Sequence, residues 1–506
     1  MLGGGTVGTV ACVKQGDLSG SGTAFMLGIE PKSRPDRSQS AHSSEEAPQR
    51  ARSEGAQEGG DAMSNGMEAE PAGVAEGSTQ AGDVRGRWPW AEPTVWTERM
   101  LKALERGVKG GVWFSLMDKV YAPRNLRASF EEVRRNRGSA GVDHVTLERF
   151  EEDLERNLRR LETSLRDGSY RPQAIRRAWI PKPGGVEKRP LGIPTVRDRV
   201  VQAALRHVLE PIFERDFAAQ SYGFRPGRGA KDALRRVQSL LRQGCTHVVD
   251  ADLKGYFDSI PHERLLERVA SKVADGQALA LVRAFLEQDV LDAAARWTPE
   301  EGTPQGAVIS PLLANIYLDP LDHLLAERGF EMVRYADDFV VLCRSAAEAD
   351  AALALVRAWT EEAGLALHPE KTRIAEFAAG DGFDFLGYHF ERGYRWPREK
   401  SLQKLKDAVR AKTPRANGRS LTAIIADLNR TLRGWFGYFC HSCKTTFPAL
   451  DGWIRMRLRS ILRKRARLRG RGRGRDHQRW PNAYFHAHGL FNLEAAHAAL
   501  LQSLRR

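Results

Sequence analysis

Cysteine is scarce in this chain. Five cysteines in 506 residues, at positions 12, 245, 343, 440 and 443, are too few and too scattered for a disulfide framework. Cys440-His441-Ser442-Cys443 is a lone CxxC, and His477, His486 and His488 are the donors that would have to complete a zinc site. The simpler reading is two small apolar residues at a helix end. No apolar run approaches the ~20 residues that span a bilayer. The N-terminus also lacks a charged segment leading into an apolar one, so no secretory signal is expected and a cytoplasmic location is.

Residues 1–90 have few large apolar side chains and no usable period; Gly, Ser, Ala and Glu dominate. Such a segment cannot bury enough surface to offset chain entropy, so disorder is expected there. The alternative is a start codon placed too early, with Met63, Met67 or Met100 as later starts. Acids are missing elsewhere. Residues 455–475 hold eleven Lys/Arg and no Asp/Glu, ending in Arg469-Gly470-Arg471-Gly472-Arg473-Gly474-Arg475. The net charge of +14 is therefore uneven: residues 1–95 carry 8 cations against 13 acids, 96–400 carry 47 against 46, and 401–506 carry 23 against 5. A polyanion bound at the C-terminal end would release counterions and weaken steeply with salt. Arg463, Lys464, Arg465, Arg467, Arg469, Arg471, Arg473 and Arg475, flanked by Trp453 and Trp480, are the expected RNA or DNA contacts. Glycine within the run predicts a flexible backbone that orders on binding.

The length suits two to four domains. From about Val95 to Leu165 the pattern is helical, with Leu147, Phe150, Leu154, Leu158 and Leu161 stepping by three or four along one face. From Ala178 to about Gly387 strands and helices alternate, and Val200–Phe213 reads as an amphipathic helix. After Gly387 helices return; Ile424, Leu428, Leu432, Trp435 and Phe439 form a core stripe, with Arg430 and Arg433 on the opposite face, able to meet nucleic acid.

Two motifs carry chemistry. Tyr335-Ala336-Asp337-Asp338 lies between the apolar runs Met332-Val333 and Phe339–Leu342, which predicts a β-hairpin with adjacent carboxylates at its turn. Upstream, the strand-like run His247–Asp252 leads to Asp252, then turns at Gly255 into Tyr256-Phe257-Asp258. Nucleotidyl transfer uses two divalent ions clamping the attacking and leaving oxygens. Asp252 and Asp337 would supply hard oxygen ligands for two Mg²⁺, with Asp338 in support. Asp250 and Asp258 compete for that role, but as solvated strand-end carboxylates they rank below it.

These pieces stand in one order with six others: Gly138–Asp143, Lys188–Pro194, Gln220–Arg228, Gly302–Gly306 with Ser310–Asn315, His368–Thr372 and Phe385–Tyr388. The ordered set resembles a reverse transcriptase, most closely the reverse transcriptase/maturase of bacterial group II introns, from about Trp113 to Arg506. The resemblance implies an α+β right-hand polymerase: a helical extension and start of the fingers (95–175), fingers and palm (176–395), and a helical thumb or maturase domain (396–506). It also implies a role for single residues. The carbonyl of Leu253 would join the metal ligands. Lys182 and Arg189, seven residues apart, would fold over the triphosphate. Phe257 would exclude a 2′-hydroxyl and so select dNTPs. Gln305 would line the nucleotide pocket, and Lys371 would protonate pyrophosphate. Phe385-Leu386-Gly387 would place the primer end, and Arg225 and Arg228 would touch template backbone.

The implied partners are group II intron RNA, an RNA template with a DNA primer, a DNA target and dNTPs. Further Cys pairs and a His-Asn-His set are absent from the sequence, so no HNH endonuclease of its own is expected. Two alternatives remain. One is a free-standing reverse transcriptase in defence or retroelement function. The other is an RNA-binding splicing factor with a decayed polymerase, against which the three intact carboxylates argue.

Overall fold

The computed structural model describes residues 84–108, 110–181, 188–469 and 474–503. Residues 1–83, Lys182, Arg471 and Arg473 lie outside that set, and with them most of the segment expected to be disordered and part of the glycine-arginine run. The expected boundary at 90 is too late. Val84–Arg87 is a short helix, Val84 is buried, and Trp88 and Trp90 pack on the main core. Trp96 is fully buried and its Nε1 donates to the His207 carbonyl at 2.9 Å. A start at Met100 would remove that anchor.

The expected helical N-terminal region is present, with one break. The stripe from Leu147 to Leu161 is split into Leu147–Glu152 and Leu154–Arg166, because Asp153 leaves helical geometry (φ −116°, ψ 35°). Helix Pro123–Asn136 begins with proline at its first turn, where no amide partner is needed, and packs on the long helix Val196–Glu214. That helix is not amphipathic as expected. It is buried nearly all round, Asp198 and Gln202 included, because the N-terminal helices cover the face a smaller domain would leave in water. Two of its polar side chains share one acid: Glu132 accepts from Arg206 Nη2 at 2.6 Å and pairs with His207 Nε2 at 2.8 Å.

Three sheets follow. β1 (Ile175–Pro181) and β2 (Lys188–Ile193) form an antiparallel pair, extended by the hairpin β4 (Val290–Asp292) and β5 (Ala295–Trp297) in the order β2-β1-β4-β5. The central sheet has the order β6-β7-β3-β8, from β3 (His247–Asp252), β6 (Glu331–Tyr335), β7 (Asp338–Cys343) and β8 (Arg373–Glu376). Two strands were not expected after Gly387: β10 (Tyr388–Glu391) and β11 (Tyr394–Pro397) join β9 (Phe383–Phe385) in a third sheet. Alternation explains the missed pair. Tyr388 and Phe390 point inward while His389 and Glu391 point outward, a period of two too short to stand out.

The central sheet is covered on both faces. Val249, Ala251, Phe339 and Val341 join the larger core with helices Ser310–Glu327 and Ala346–Glu362, while Val248, Val340 and Leu342 join a second core with helix Ala230–Arg242 and the third sheet. Helices Glu399–Lys412, Leu421–Phe439 and Thr446–Arg465 enclose a third core around Leu428, Leu432, Ile454 and Leu458. The stripe read from Ile424 to Phe439 lines that core through Ile424, Leu428 and Leu432, and its last residue, Phe439, packs in the second core. Among the described residues no helix is long and apolar enough to cross a membrane.

Candidate active site

The site is built by strand register. β3 and β7 pair antiparallel so that Asp252 lies directly opposite Asp338, and β7 pairs with β6 so that Asp338 also lies opposite Tyr335. Ala336 and Asp337 are then the two-residue turn, and Ala336 takes φ 61°, as such turns require. The three expected carboxylates are thus gathered at one end of the central sheet. Like charges directly opposite on a sheet repel. Burial, reinforced by Asp337, Asp250 and Asp252, pushes the Asp338 carboxyl well above the usual range, partly opposed by the Leu386 amide.

Asp250 is half-buried rather than the solvated carboxylate expected, whereas Asp258 is exposed, as expected. Asp250, opposite Val340 in the ladder, is pushed up to about 7 by burial, against the pull of Arg373. Asp258 is raised by burial, while Arg177 and a 3.1 Å hydrogen bond from Gln305 Nε2 hold it down.

Lys371 is drawn into this cluster: its Nζ lies 2.6 Å from Asp252 Oδ2. The backbone brings it there, since the His368 amide donates to the Asp252 carbonyl at 2.7 Å and the Lys371 amide donates to His368. Leu253 follows as an isolated bridge to Leu367. The donors at this end are all oxygens, which suits a hard divalent cation. Among the described residues no three His, Cys, Asp or Glu side chains already converge on one point. The ammonium of Lys371 now supplies the positive charge at Asp252.

Around the carboxylates, Phe257 is buried and its ring centroid lies 6.4 Å from that of Phe224, which lies 6.5 Å from Tyr335. Gln305 is half-buried, and its carbonyl accepts from the Gly192 amide at 2.6 Å, which joins the β1–β2 pair to this pocket. Arg189 lies opposite Ile180, one residue from the tip of that pair. On the other side the Leu386 carbonyl accepts from Tyr438 Oη at 2.8 Å, and the Gly387 carbonyl from the Arg398 amide at 3.0 Å, so the C-terminal helices brace Phe385-Leu386-Gly387.

A residue that sequence reasoning missed holds the turn. Arg334 is fully buried; its guanidinium grips Asp322 with both arms at 2.7 and 2.5 Å and donates to Asn315 Oδ1 at 3.0 Å and to the Ala336 carbonyl at 2.9 Å. Asn315 and Asp322, two helical turns apart, share one face of their helix. Asn315 in turn donates to the Gly223 carbonyl at 2.8 Å. Gly223 must be glycine, because a Cβ would overlap the Ala336 backbone nitrogen. The available signal was a lone cation inside an apolar strand, Met332-Val333-Arg334-Tyr335.

Several expected nucleic-acid contacts are engaged inside the protein. Arg225 is buried, bonded to both Glu214 oxygens at 3.0 Å and to the Ser221 carbonyl at 2.9 Å, so it does not reach a template. Arg228 is half-buried and donates to the Ala219 carbonyl at 2.6 Å. Arg463 bonds both Asp476 oxygens, at 2.9 and 2.7 Å, and Trp480 is buried in the third core rather than open for stacking. Lys464, Arg465, Arg467, Arg469 and Arg475 are exposed, as are Arg430, ion-paired with Asp427 at 2.8 Å, and Arg433, over the Phe491 ring. Cys440 is buried at the end of helix Leu421–Phe439, with its thiol toward the Gly437 carbonyl.

Residues 180–390 match the reverse transcriptase (RNA-dependent DNA polymerase) family, and residues 402–480 match the group II intron maturase-specific domain. The chain is 35% identical over 291 residues to protein YkfC of Escherichia coli K12, covering 50% of this chain and 76% of that protein. The chain belongs to the group II intron reverse transcriptase/maturase family. Group II intron-encoded protein LtrA of Lactococcus lactis is 36% identical over 201 residues, 39% of this chain and 33% of LtrA. An intron-borne 91 kDa protein of Schizosaccharomyces pombe is 42% identical over 162 residues, 32% of this chain and 20% of that protein. The family's enzymes are RNA-directed DNA polymerases. The matched segment, 180–390, contains the whole carboxylate cluster, Arg334 and Lys371.

Proposed function

We propose that this protein copies RNA into DNA at the Asp252–Asp337–Asp338 cluster and binds group II intron RNA through its C-terminal helices to promote splicing and retromobility. The observation that carries the polymerase half is the register that sets Asp252 against Asp338 beside the Ala336-Asp337 turn. Asp252, Asp337 and Asp338, with the Leu253 carbonyl, would hold two Mg²⁺. When bound, these ions lower the pKa of the primer 3′-hydroxyl and neutralise charge on the departing pyrophosphate.

The protein's own groups do the rest. Lys371, whose ammonium lies 2.6 Å from Asp252 Oδ2, is the group that would donate a proton to the pyrophosphate. Arg189, and Lys182 by the same family resemblance, would bind the triphosphate. Phe257, fixed by Phe224 and by its carbonyl's bond to the Thr303 amide at 2.6 Å, sits under the sugar and leaves no room for a 2′-hydroxyl. Gln305 lines the base pocket, and the braced Phe385-Leu386-Gly387 segment seats the primer end. Lys464, Arg465, Arg467, Arg469 and Arg475, with Arg430 and Arg433, face the RNA.

Two measurements test this reading. Purified protein should extend a DNA primer on RNA with dNTPs and Mg²⁺, and Asp337→Ala should not; extension by that variant would place the chemistry elsewhere. Protein expressed with its native flanking DNA should co-purify with an excised intron spanning its reading frame. Recovery of only unrelated RNA would favour the free-standing reverse transcriptase.

A further inference from the structure

The sheet β2-β1-β4-β5 has an exposed aromatic surface that neither the carboxylate cluster nor the basic helices account for. Trp179 on β1 is 47% exposed and Trp297 on β5 is 38% exposed, among the largest exposed apolar side chains of the described residues. Register places them together. β1 alternates so that Ile175, Arg177 and Trp179 share a face, and β4 continues that face through Val290, opposite Trp297.

Arg177 lies between the two rings, its guanidinium carbon 4.6 Å from the Trp297 centroid and 5.7 Å from that of Trp179. Trp179 is held in place, since its indole Nε1 donates to Asp292 Oδ2 at 3.1 Å. Two tryptophans left in water at a fixed spacing around a guanidinium cost hydration free energy that a bound planar group would recover.

Charge and position select the occupant. The four strands carry Arg176, Arg177, Lys188, Arg189 and Arg296 against one acid, Asp292. Arg177 lies opposite Gly192, whose amide is bonded to the Gln305 carbonyl, and its charge is felt at Asp258. The surface therefore adjoins the nucleotide pocket. A cationic sheet bearing rigid, exposed indoles fits unpaired bases, which stack regardless of sequence.

We propose that Trp179, Arg177 and Trp297 form a stacking platform for unpaired template bases that have not yet been copied. This rests on the polymerase reading above. The test measures binding of the full chain to RNA-template/DNA-primer duplexes carrying either one unpaired template base or several. Wild type should bind the longer overhang more tightly by about fivefold or more, the lower end of what one stacked base contributes. Trp179→Ala/Trp297→Ala should abolish that difference, with the loss confined to the longer overhang, and Trp179→Phe/Trp297→Phe should keep most of it. Equal losses on both duplexes would overturn the proposal, marking the pair as structural. An unchanged overhang preference in the alanine variant would also overturn it and leave the surface to a protein partner. Nucleotide incorporation by wild type on the short-overhang duplex is read in parallel. Its absence would count against the polymerase reading, whereas the overhang preference tests the platform itself.

Discussion

At one end of the central sheet, Asp250, Asp252, Asp337 and Asp338 are crowded together, and burial raises Asp250 and Asp338. The C-terminal helices hold most of the chain's excess positive charge, yet there Arg463 is closed on Asp476, Arg459 donates to the Trp480 carbonyl at 2.9 Å, and Arg457 donates to the Thr413 carbonyl at 2.7 Å. In the first region Asp252 is paired with Lys371 while burial and like charge hold the Asp250 and Asp338 carboxyls up. In the second, part of a conspicuous charge run is structural and only the remainder faces solvent. Charge density in a sequence therefore says where charge is, and its packing says whether a ligand can reach it.

That contrast can be broken most directly at its acidic end. Asp252→Asn or Asp337→Asn should reduce primer extension by about 10³-fold or more, if a bound ion contributes the several kcal/mol expected of charge stabilisation in the transition state. Thermal stability should hold or rise, because removing one like charge relieves repulsion. A fall in melting temperature would show that these carboxylates are structural.

The next effect concerns Arg334, a fully buried guanidinium whose three nitrogens are all paired. Arg334→Ala strands Asp322 in the core and should destabilise the protein by about 3–5 kcal/mol. Arg334→Met/Asp322→Leu should recover most of that in denaturant titrations. Primer extension should stay impaired in the double variant, because nothing then holds the Ala336 carbonyl. Restored activity would reduce Arg334 to a packing residue.

Glu132 offers a paired acid to set against the raised ones. The Glu132 carboxyl is held down at about 2, by hydrogen bonding to His207 and the charge of Arg206, against the cost of burial. A folded-state value depressed below the unfolded ~4.5 stabilises above that pH, and the gain is lost as pH falls toward 2; it amounts to roughly 3 kcal/mol. Glu132→Gln should flatten the acid limb of the stability profile over that window, and an unchanged limb would show that the pair contributes little.

The smallest effects belong to the exposed basic residues. Neutralising Lys464 or Arg467 should leave stability within about 0.5 kcal/mol and lower the salt dependence of RNA binding by about 0.7–0.9 per charge. Arg463→Ala should instead lower the melting temperature. If Arg463 and Arg467 variants behaved alike, the division between structural and available cations would fail.

Much of this was legible from residue order. The YADD hairpin, the Asp252 strand and the Ile424–Phe439 stripe need only local periodicity and turn chemistry, so a linear reading finds them. The full burial of Val196–Glu214 depends on helices distant in sequence, and the pairing of Arg225 with Glu214 and of Arg463 with Asp476 on how the chain folds back over 11 and 13 positions, which no periodicity records.

The sequence by itself determined which residues are candidates for the proposed chemistry, because motif order and alternation are properties of neighbouring positions. Tertiary structure alone decided which charges are available, since pairing is a matter of proximity. It set Asp252 against Asp338, brought Lys371 onto Asp252 across 119 positions, and buried Arg334 between Asp322 and the Ala336-Asp337 turn.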